Sequence, residues 1–207
     1  LCALLRVFIA NRNALEDVIY GHWWGQLAHR LRHWLNRNTR SNSRKNIHAH
    51  YDLGNAFYSL WLDPTMNYSS AWFDGNPMLP MDQAQDAKVR RALRMVNLTP
   101  GQNQRLLEIG CGWGALAEMS TTTFGASLVG VTLSTEQLAF ARELLQRLGV
   151  ADRADLRLQD YRDIQDPPFD AICSIEMIEA VGEKYWPTYF GAIHDRLNAG
   201  GEAVLQV

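Results

Sequence analysis

The sequence predicts an α/β fold on a parallel sheet, Rossmann-like in plan, and three observations carry that expectation. From about residue 83 onward, short apolar runs alternate with amphipathic stretches, the signature of strands joined by right-handed helical crossovers. The first of those runs, Arg105–Ile109, leads straight into a glycine-rich turn, Gly110-Cys111-Gly112-Trp113-Gly114. The chain has 207 residues, 47% hydrophobic and 20% charged, which is enough for one sizeable core and excludes a disordered tail, a collagen-like rod or a low-complexity linker.

Each element follows in order. Residues 1–45 read as a basic, amphipathic helical segment that closes on the polar loop Asn36, Asn38, Ser41, Asn42 and Ser43. Residues 46–82 form an irregular aromatic cap or substrate segment with Tyr51, Phe57, Tyr58, Trp61, Tyr68, Trp72 and Phe73, punctuated by Gly54, Pro64, Gly75, Pro77 and Pro80. Residues 83–207 are the α/β domain. Its first helix is predicted over Gln83–Val96, with Val89, Ala92, Leu93 and Val96 on one face. Strands are predicted at Arg105–Ile109, Ser127–Thr132, Asp155–Gln159, Asp170–Ile175 and Ala203–Val207. Helices Thr135–Leu148 and Trp186–Leu197 fall between them, the second with Pro187 in its first turn, where a missing N–H costs nothing. Leu1 is not an initiator Met and Val207 stops inside a predicted strand, so the sequence reads as a piece of a longer chain, incomplete at its C-terminal end.

The net charge of -2 conceals an asymmetry. Between Val18 and Tyr51 there is no acidic residue, while Arg30, Arg32, Arg37, Arg40, Arg44 and Lys45 sum to +6, leaving -8 for the rest. With Trp23, Trp24 and Trp34 interleaved, this stretch suits an interfacial segment meeting anionic lipid. A solvated basic face and a docking helix are the other readings. Nucleic acid is not expected as a partner, since no recognition motif accompanies the charge. No apolar run approaches the roughly 18 residues of a spanning helix, and three scattered cysteines (Cys2, Cys111, Cys173) make no disulfide framework. The expected setting is cytoplasmic, peripheral at the inner membrane face.

The glycine turn carries the strongest chemical signal. Glycines between a strand and a helix let a ligand approach the backbone and aim helix N–H groups at it. The spacing is G-x-G-x-G, unlike the G-x-G-x-x-G of dinucleotide enzymes. The second strand closes on Thr132-Leu133-Ser134, with Thr132 standing where a ribose-binding carboxylate would be expected, and Ser134 and Gln137 fit a capping box. The third strand closes on Gln159-Asp160-Tyr161-Arg162-Asp163, a set able to cradle a purine or to serve as plain loop. The fourth runs into Ser174-Ile175-Glu176-Met177-Ile178-Glu179, two carboxylates three apart at the edge where open sheets bind ligands. His48 and His50 lack partners at ligand spacing, so no metal is expected.

Together these residues resemble the cyclopropane-fatty-acyl-phospholipid synthase family, which includes the mycolic acid cyclopropane synthases and uses S-adenosylmethionine. The resemblance runs from about Asn46 to Val207, through HYDLGNAFYSLWLDPTM, YSSA, LLEIGCGWG, GVTLSTEQ, LQDYRD and SIEMIEAVGEKYW. It implies a class I methyltransferase-like sheet of order 3-2-1-4-5. It also implies cofactor contacts from Tyr68, Ser69, Gly110, Cys111, Gly112, Trp113, Gly114, Thr132, Leu133, Gln137, Tyr161 and Arg162. The family holds bicarbonate as a bound base. Glu179 matches its Glu ligand, while Ser70 and Gln206 stand where a Cys and a His are expected, which makes these three the candidate catalytic residues. The implied reaction adds a methylene across the cis double bond of an unsaturated phospholipid acyl chain, through a carbocation sheltered by aromatic walls such as Tyr58, Trp61, Trp72 and Phe73. Methyl branching of the acyl chain, transfer to another small acceptor and a non-catalytic lipid- or cofactor-binding module are the alternatives. A homodimer is left open.

Overall fold

The computed structural model describes residues 2–11 and 57–207. By its internal contacts the chain divides into two compact units, residues 1–43 and 44–207. The first contributes one described helix, α1 (Cys2–Ala10), on which Val7, Phe8 and Ile9 are exposed. The basic stretch from Val18 to Tyr51 and the start of the expected cap, through residue 56, lie outside the described residues. Among the described residues no helix is long and apolar enough to cross a membrane.

The second unit alternates helices and strands in the predicted sequence. It comprises α2 (Met81–Met95), β1 (Arg105–Ile109), α3 (Ala115–Thr122), β2 (Ser127–Thr132), α4 (Thr135–Arg147), β3 (Ala154–Leu158), β4 (Phe169–Ile175), α5 (Ile178–Val181), α6 (Trp186–Asp195) and β5 (Leu197–Gln206). All four strand pairings are parallel and the order is β3-β2-β1-β4-β5, as the sequence predicts. Parallel crossovers bring the carboxyl end of every strand to one edge, and β1 and β4 run side by side at the point where the order reverses.

Strand alternation sorts the core into two faces. Leu106 joins Leu93, Leu116, Leu145 and Leu156 beneath α2, α3 and α4, whereas Leu107 and Ile109 join Phe169, Ile172, Tyr189 and Ile193 beneath α6. Glu108 shares the parity of Leu106, so its carboxylate faces the α2 side of the sheet. A hydroxyl chain fastens the two central strands near their ends: Tyr189 donates to Ser174 Oγ at 2.6 Å, and Ser174 donates to the Ile109 carbonyl at 3.1 Å.

Several boundaries shift by one or two residues from the sequence reading, α2 beginning at Met81 instead of Gln83, and the last strand shifts most. The strand expected at Ala203–Val207 begins at Leu197, because Leu197 pairs with Phe169 before an irregularity at Gly200 (φ +82°) and pairing resumes at Ala171–Glu202. The turn residues Asn198, Gly200 and Gly201 mask that early start in the sequence. The helix expected to run Trp186–Leu197 ends at Asp195, and only Tyr189 and Ile193 of its expected stripe are buried.

Gly130, mid-strand in β2, has ordinary backbone, but a Cβ there would sit 2.7 Å from Leu156 Cδ2 and 3.2 Å from Cys111 Cβ. The close approach of β3 and of the glycine turn explains a glycine inside a strand. Gly130→Ala is expected to cost ~1–3 kcal/mol by overpacking. Urea unfolding measures it, and an unchanged midpoint would show that the site has room.

Candidate functional site

The site is built around the turn that follows β1. Gly110 and Cys111 both donate their N–H to the Val131 carbonyl, at 2.9 and 3.0 Å, which bends the chain off the sheet and into α3. The three glycines adopt positive φ (87°, 51° and 93°) but serve different ends. A side chain on Gly110 would collide with Met177, and one on Gly114 would sit 2.9 Å from Ala141 Cβ, so both are demanded by packing. A Cβ on Gly112 would meet only Tyr68, at 3.7 Å. That glycine faces an open cleft, the geometry expected where a ligand lies on the backbone.

The cleft opens to solvent. Its walls include Tyr68, Ser69, Gly110, Cys111, Gly112 and Trp113 from the residues expected to touch a cofactor, together with Lys88, Glu108 and Glu176. Trp113 is buried against Tyr58 and Met66, and the Tyr68 ring meets it edge-on at 5.3 Å. α2 holds the segment above the turn. Lys88 Nζ donates to Ser69 Oγ at 2.6 Å and to Asn67 Oδ1 at 3.2 Å, and Gln85 donates to the Ser69 carbonyl at 2.8 Å.

The remaining cofactor candidates stand at neighbouring strand ends. Thr132 Oγ1 accepts from the Ser134 N–H and donates to Gln137 Oε1 at 3.1 Å, while Ser134 Oγ accepts from the Gln137 N–H. Ser134 therefore caps α4, but the Gln137 side chain reaches to Thr132 instead of closing the capping box, and its Nε2 is buried without a partner among the described residues. Leu133 is half-buried beside them. Tyr161 and Arg162 lie on a single 3-10 turn after β3; Arg162 is paired to Asp160 (2.8 Å from Nε) with its guanidinium over the Tyr161 ring, which meets Tyr189 edge-on.

The three catalytic candidates do not converge as a trio. Ser70 and Gln206 do come together, but on Glu176: the Ser70 N–H and Gln206 Nε2 donate to the same oxygen, Oε1, at 2.7 and 3.0 Å. Gln206 Nε2 also reaches the Ser70 carbonyl at 3.2 Å. Glu179 is exposed in the first turn of α5, and its charge bears on the Tyr189 hydroxyl. The aromatic residues divide as well. Tyr58 packs on Trp113, Trp61 is exposed, and Trp72 already carries the Arg91 guanidinium 4.1 Å above its ring, so its face is taken by a cation of the chain itself.

Glu176 has φ +49°, a left-handed conformation that costs a non-glycine residue about 1–2 kcal/mol. Its own N–H donates to the Gln206 carbonyl at 2.8 Å, extending the β4–β5 ladder by one bond. The donors available to a bound bicarbonate at this point, the Ser70 N–H and the Gln206 amide, are thus engaged by a carboxylate. A second anion at ~4 Å would be repelled by about 4 kcal/mol at an effective dielectric of 20. Bicarbonate does not fit this arrangement.

An S-adenosylmethionine-type ligand fits the cleft better. Gly112 is open to it, and Glu108, which lines the cleft, keeps Oε2 buried without a partner among the described residues. Burial pushes the Glu108 carboxyl up to about 8, against the partial pull of the Lys88 ammonium. Burial likewise lowers Lys88, to about 8, opposed by the charges of Glu176, Asp63 and Glu108. Sequence reading passed over Lys88 and Gln85, although both fall on the apolar stripe of α2, at the spacing of Ala84 and Ala92, where polar residues call for a reason.

A parallel sheet of order 3-2-1-4-5, with a glycine turn after its first strand opening a cleft at the carboxyl edge, is the plan of class I methyltransferases. The chain matches the family model described as mycolic acid cyclopropane synthetase over residues 38–207, and it belongs to that family. It is 37% identical over 178 residues to the probable fatty acid methyltransferase Rv3720 of Mycobacterium tuberculosis, covering 86% of this chain and 40% of that one. It is 43% identical over 153 residues to the cyclopropane-fatty-acyl-phospholipid synthase of Escherichia coli K12, covering 73% and 37%. The crystal structure of mycolic acid cyclopropane synthase CmaA1 complexed with SAH and CTAB superposes with a TM-score of 0.71 at 33% identity, over 78% of this chain and 55% of that one. The chain thus spans less than half the length of these two curated relatives.

The raised Glu108 carboxyl predicts a pH signature of stability. Its proton is held more tightly in the folded state than in the unfolded one, so this contribution is full below about 4.5 and is lost as pH rises toward about 8. Lys88 acts with the opposite sign, but only above about 8. Melting of the ligand-free protein at pH 5 and pH 8 should therefore show the Glu108→Gln variant gaining on wild type at the higher pH, by about 2–4 °C for each kcal/mol. A pH-independent difference would place the carboxylate in a polar environment.

Proposed function

We propose that this protein is an S-adenosylmethionine-dependent methyltransferase that adds one carbon to the cis double bond of an unsaturated fatty acyl chain, with closure to a cyclopropane as the first reading of the product. The observation that supports it is the cleft between the β1 turn and the Tyr68–Ser70 segment, in a chain whose family match covers residues 38–207. When bound, S-adenosylmethionine supplies an electrophilic methyl group on a sulfonium. Gly110–Trp113 and Tyr68 would hold its methionine portion, Thr132 and Gln137 the ribose region, and Tyr161 and Arg162 the adenine.

The chain's own residues then have three tasks. Trp113 and Tyr68 wall the cleft against water, because a carbocation on the acyl chain is consumed by any water that reaches it. Lys88 fixes the Ser69 segment against α2, which sets the position of Tyr68. A base near β4 and β5 removes the proton. Glu179 was expected to orient that base from sequence, and its exposed position makes it a candidate for positioning through Tyr189 instead. A second reading, in which the product carries a methylene or methyl branch, is favoured by Ser70 and Gln206 standing where the synthases' Cys and His are expected. The basic segment of residues 18–51 is proposed to bring the enzyme to an anionic lipid surface.

Gly112→Ala separates ligand binding from folding. The new methyl group enters the cleft and touches only Tyr68, so the fold should lose no more than the ~1–2 kcal/mol of a left-handed alanine. S-adenosylmethionine affinity by calorimetry should fall at least tenfold, and lipids incubated with wild type should gain one CH₂ by mass spectrometry, with ring protons in the NMR spectrum if a cyclopropane forms. Unchanged affinity in Gly112→Ala would move the cofactor off this turn. Tight cofactor binding without any change in lipid mass would favour a non-catalytic module.

A further inference from the structure

We propose that the Glu176 carboxylate is the built-in anion of this site and the base that receives the proton, in place of an exchangeable bicarbonate. The inference rests on the methyl-transfer reading above. Three independent features single out Glu176. The Ser70 N–H and the Gln206 amide converge on one of its oxygens from two different elements, the segment above the turn and the end of β5. It lines the same cleft as Gly110, Gly112 and Trp113, on the side where β4 parts from β1. It also adopts a left-handed backbone that only the surrounding bonds, including its N–H to the Gln206 carbonyl, hold in place. A residue kept in an unfavourable conformation, with its side chain gripped at a ligand cleft, is positioned for a purpose beyond packing.

Both of these hydrogen bonds fall on Oε1, and Oε2 is the oxygen that takes the proton. Attack of the acyl double bond on the sulfonium methyl would form the new carbon–carbon bond as the S–CH3 bond breaks and the neutral thioether, S-adenosylhomocysteine, leaves, so that the chain becomes a carbocation. A proton of the added methyl then goes to Glu176 Oε2, and its C–H electron pair closes the last ring bond of a cyclopropane or, after a 1,2-hydride shift has moved the cation to the methyl-bearing carbon, forms a double bond to the added carbon. The carboxylic acid then returns its proton to water. No oxidant or reductant is needed for either outcome.

The test pairs a binding readout with a kinetic one. Glu176→Gly suits the left-handed backbone, so it should fold at least as well as wild type, and it vacates the anion position. ¹³C-labelled bicarbonate, followed by line broadening in NMR, should bind Glu176→Gly and not wild type. In carbonate-depleted buffer, wild-type turnover on a cis-unsaturated phospholipid should be independent of added bicarbonate. Glu176→Gln should lose ~10²–10⁴-fold, the range of a lost general base, with S-adenosylmethionine affinity kept within about twofold, and bicarbonate should not restore it because the amide still fills the place. Glu176→Gly should lose as much and recover in part with millimolar bicarbonate. Bicarbonate bound by wild type, a wild-type turnover that requires it, or full turnover in Glu176→Gln each overturns the proposal. A wild-type protein that alters no acyl lipid sinks the methyl-transfer reading instead, while the NMR comparison still decides whether Glu176 occupies the anion position.

Discussion

The Val131 carbonyl is the hinge on which the cleft depends. By accepting from both Gly110 and Cys111 it ends β1, lifts the chain away from its parallel neighbours and fixes the start of α3. Gly114 then lies against Ala141 so closely that α3 and α4 can pack only if that residue has no side chain. With Gly110 under Met177 and Gly114 under α4, the middle glycine is the one left facing outward. The turn is rigid because two of its glycines are used up by the protein, and it is receptive because the third is not. A G-x-G-x-G spacing here encodes two packing contacts and one position left open to the cleft, a division of labour that the letters alone do not express.

Much of this was legible in advance because the relevant signals are local. Arg105–Ile109 and Ser127–Thr132 are short, largely apolar segments bounded by turn chemistry, and both fall where they were expected. The parallel order followed from strict alternation with helices. What the sequence hid is relational. Glu176 and Glu179 stand three positions apart, and the family resemblance points to Glu179, whereas in the structure it is Glu176 that meets Ser70, 106 residues earlier in sequence. Trp72 reads as an aromatic wall until Arg91, from the other side of a loop, is seen to cover it. The start of β5 was obscured for a different reason: its pairing with β4 is interrupted by an irregularity that looks, in sequence, like a turn.

The buried polar groups of α2 follow the same logic. Lys88 and Gln85 occupy the apolar stripe of a helix, where an ammonium and an amide are costly unless they are hydrogen-bonded. Both spend their bonds on Asn67 and Ser69, so the cost of burying them is offset by fixing a segment that has no regular secondary structure of its own. Glu108 sits on the facing side of the sheet edge, with one oxygen unpartnered among the described residues. Burial drives both groups toward their neutral forms, and each resists because the other carries charge. A ligand bearing a positive centre would tip that balance toward the Glu108 carboxylate, so occupancy of the cleft and the protonation of its floor are coupled by simple electrostatics.

A carboxylate supplied by the chain changes the chemistry of an anion site in a definable way. A small exchangeable base leaves and returns with solvent, so its occupancy is set by its concentration; a tethered carboxylate is present at every turnover but must be aimed by the backbone. The left-handed Glu176, the Ser70 N–H and the Gln206 amide together fix the position of that carboxylate, and under the proposal above the thiol and imidazole expected at those two positions would not be required. A backbone donor serves at position 70 whatever its side chain, and an amide serves at 206 without titrating. At these two positions the chain holds donors that do not titrate, beside the Glu176 carboxylate on the wall of the cleft.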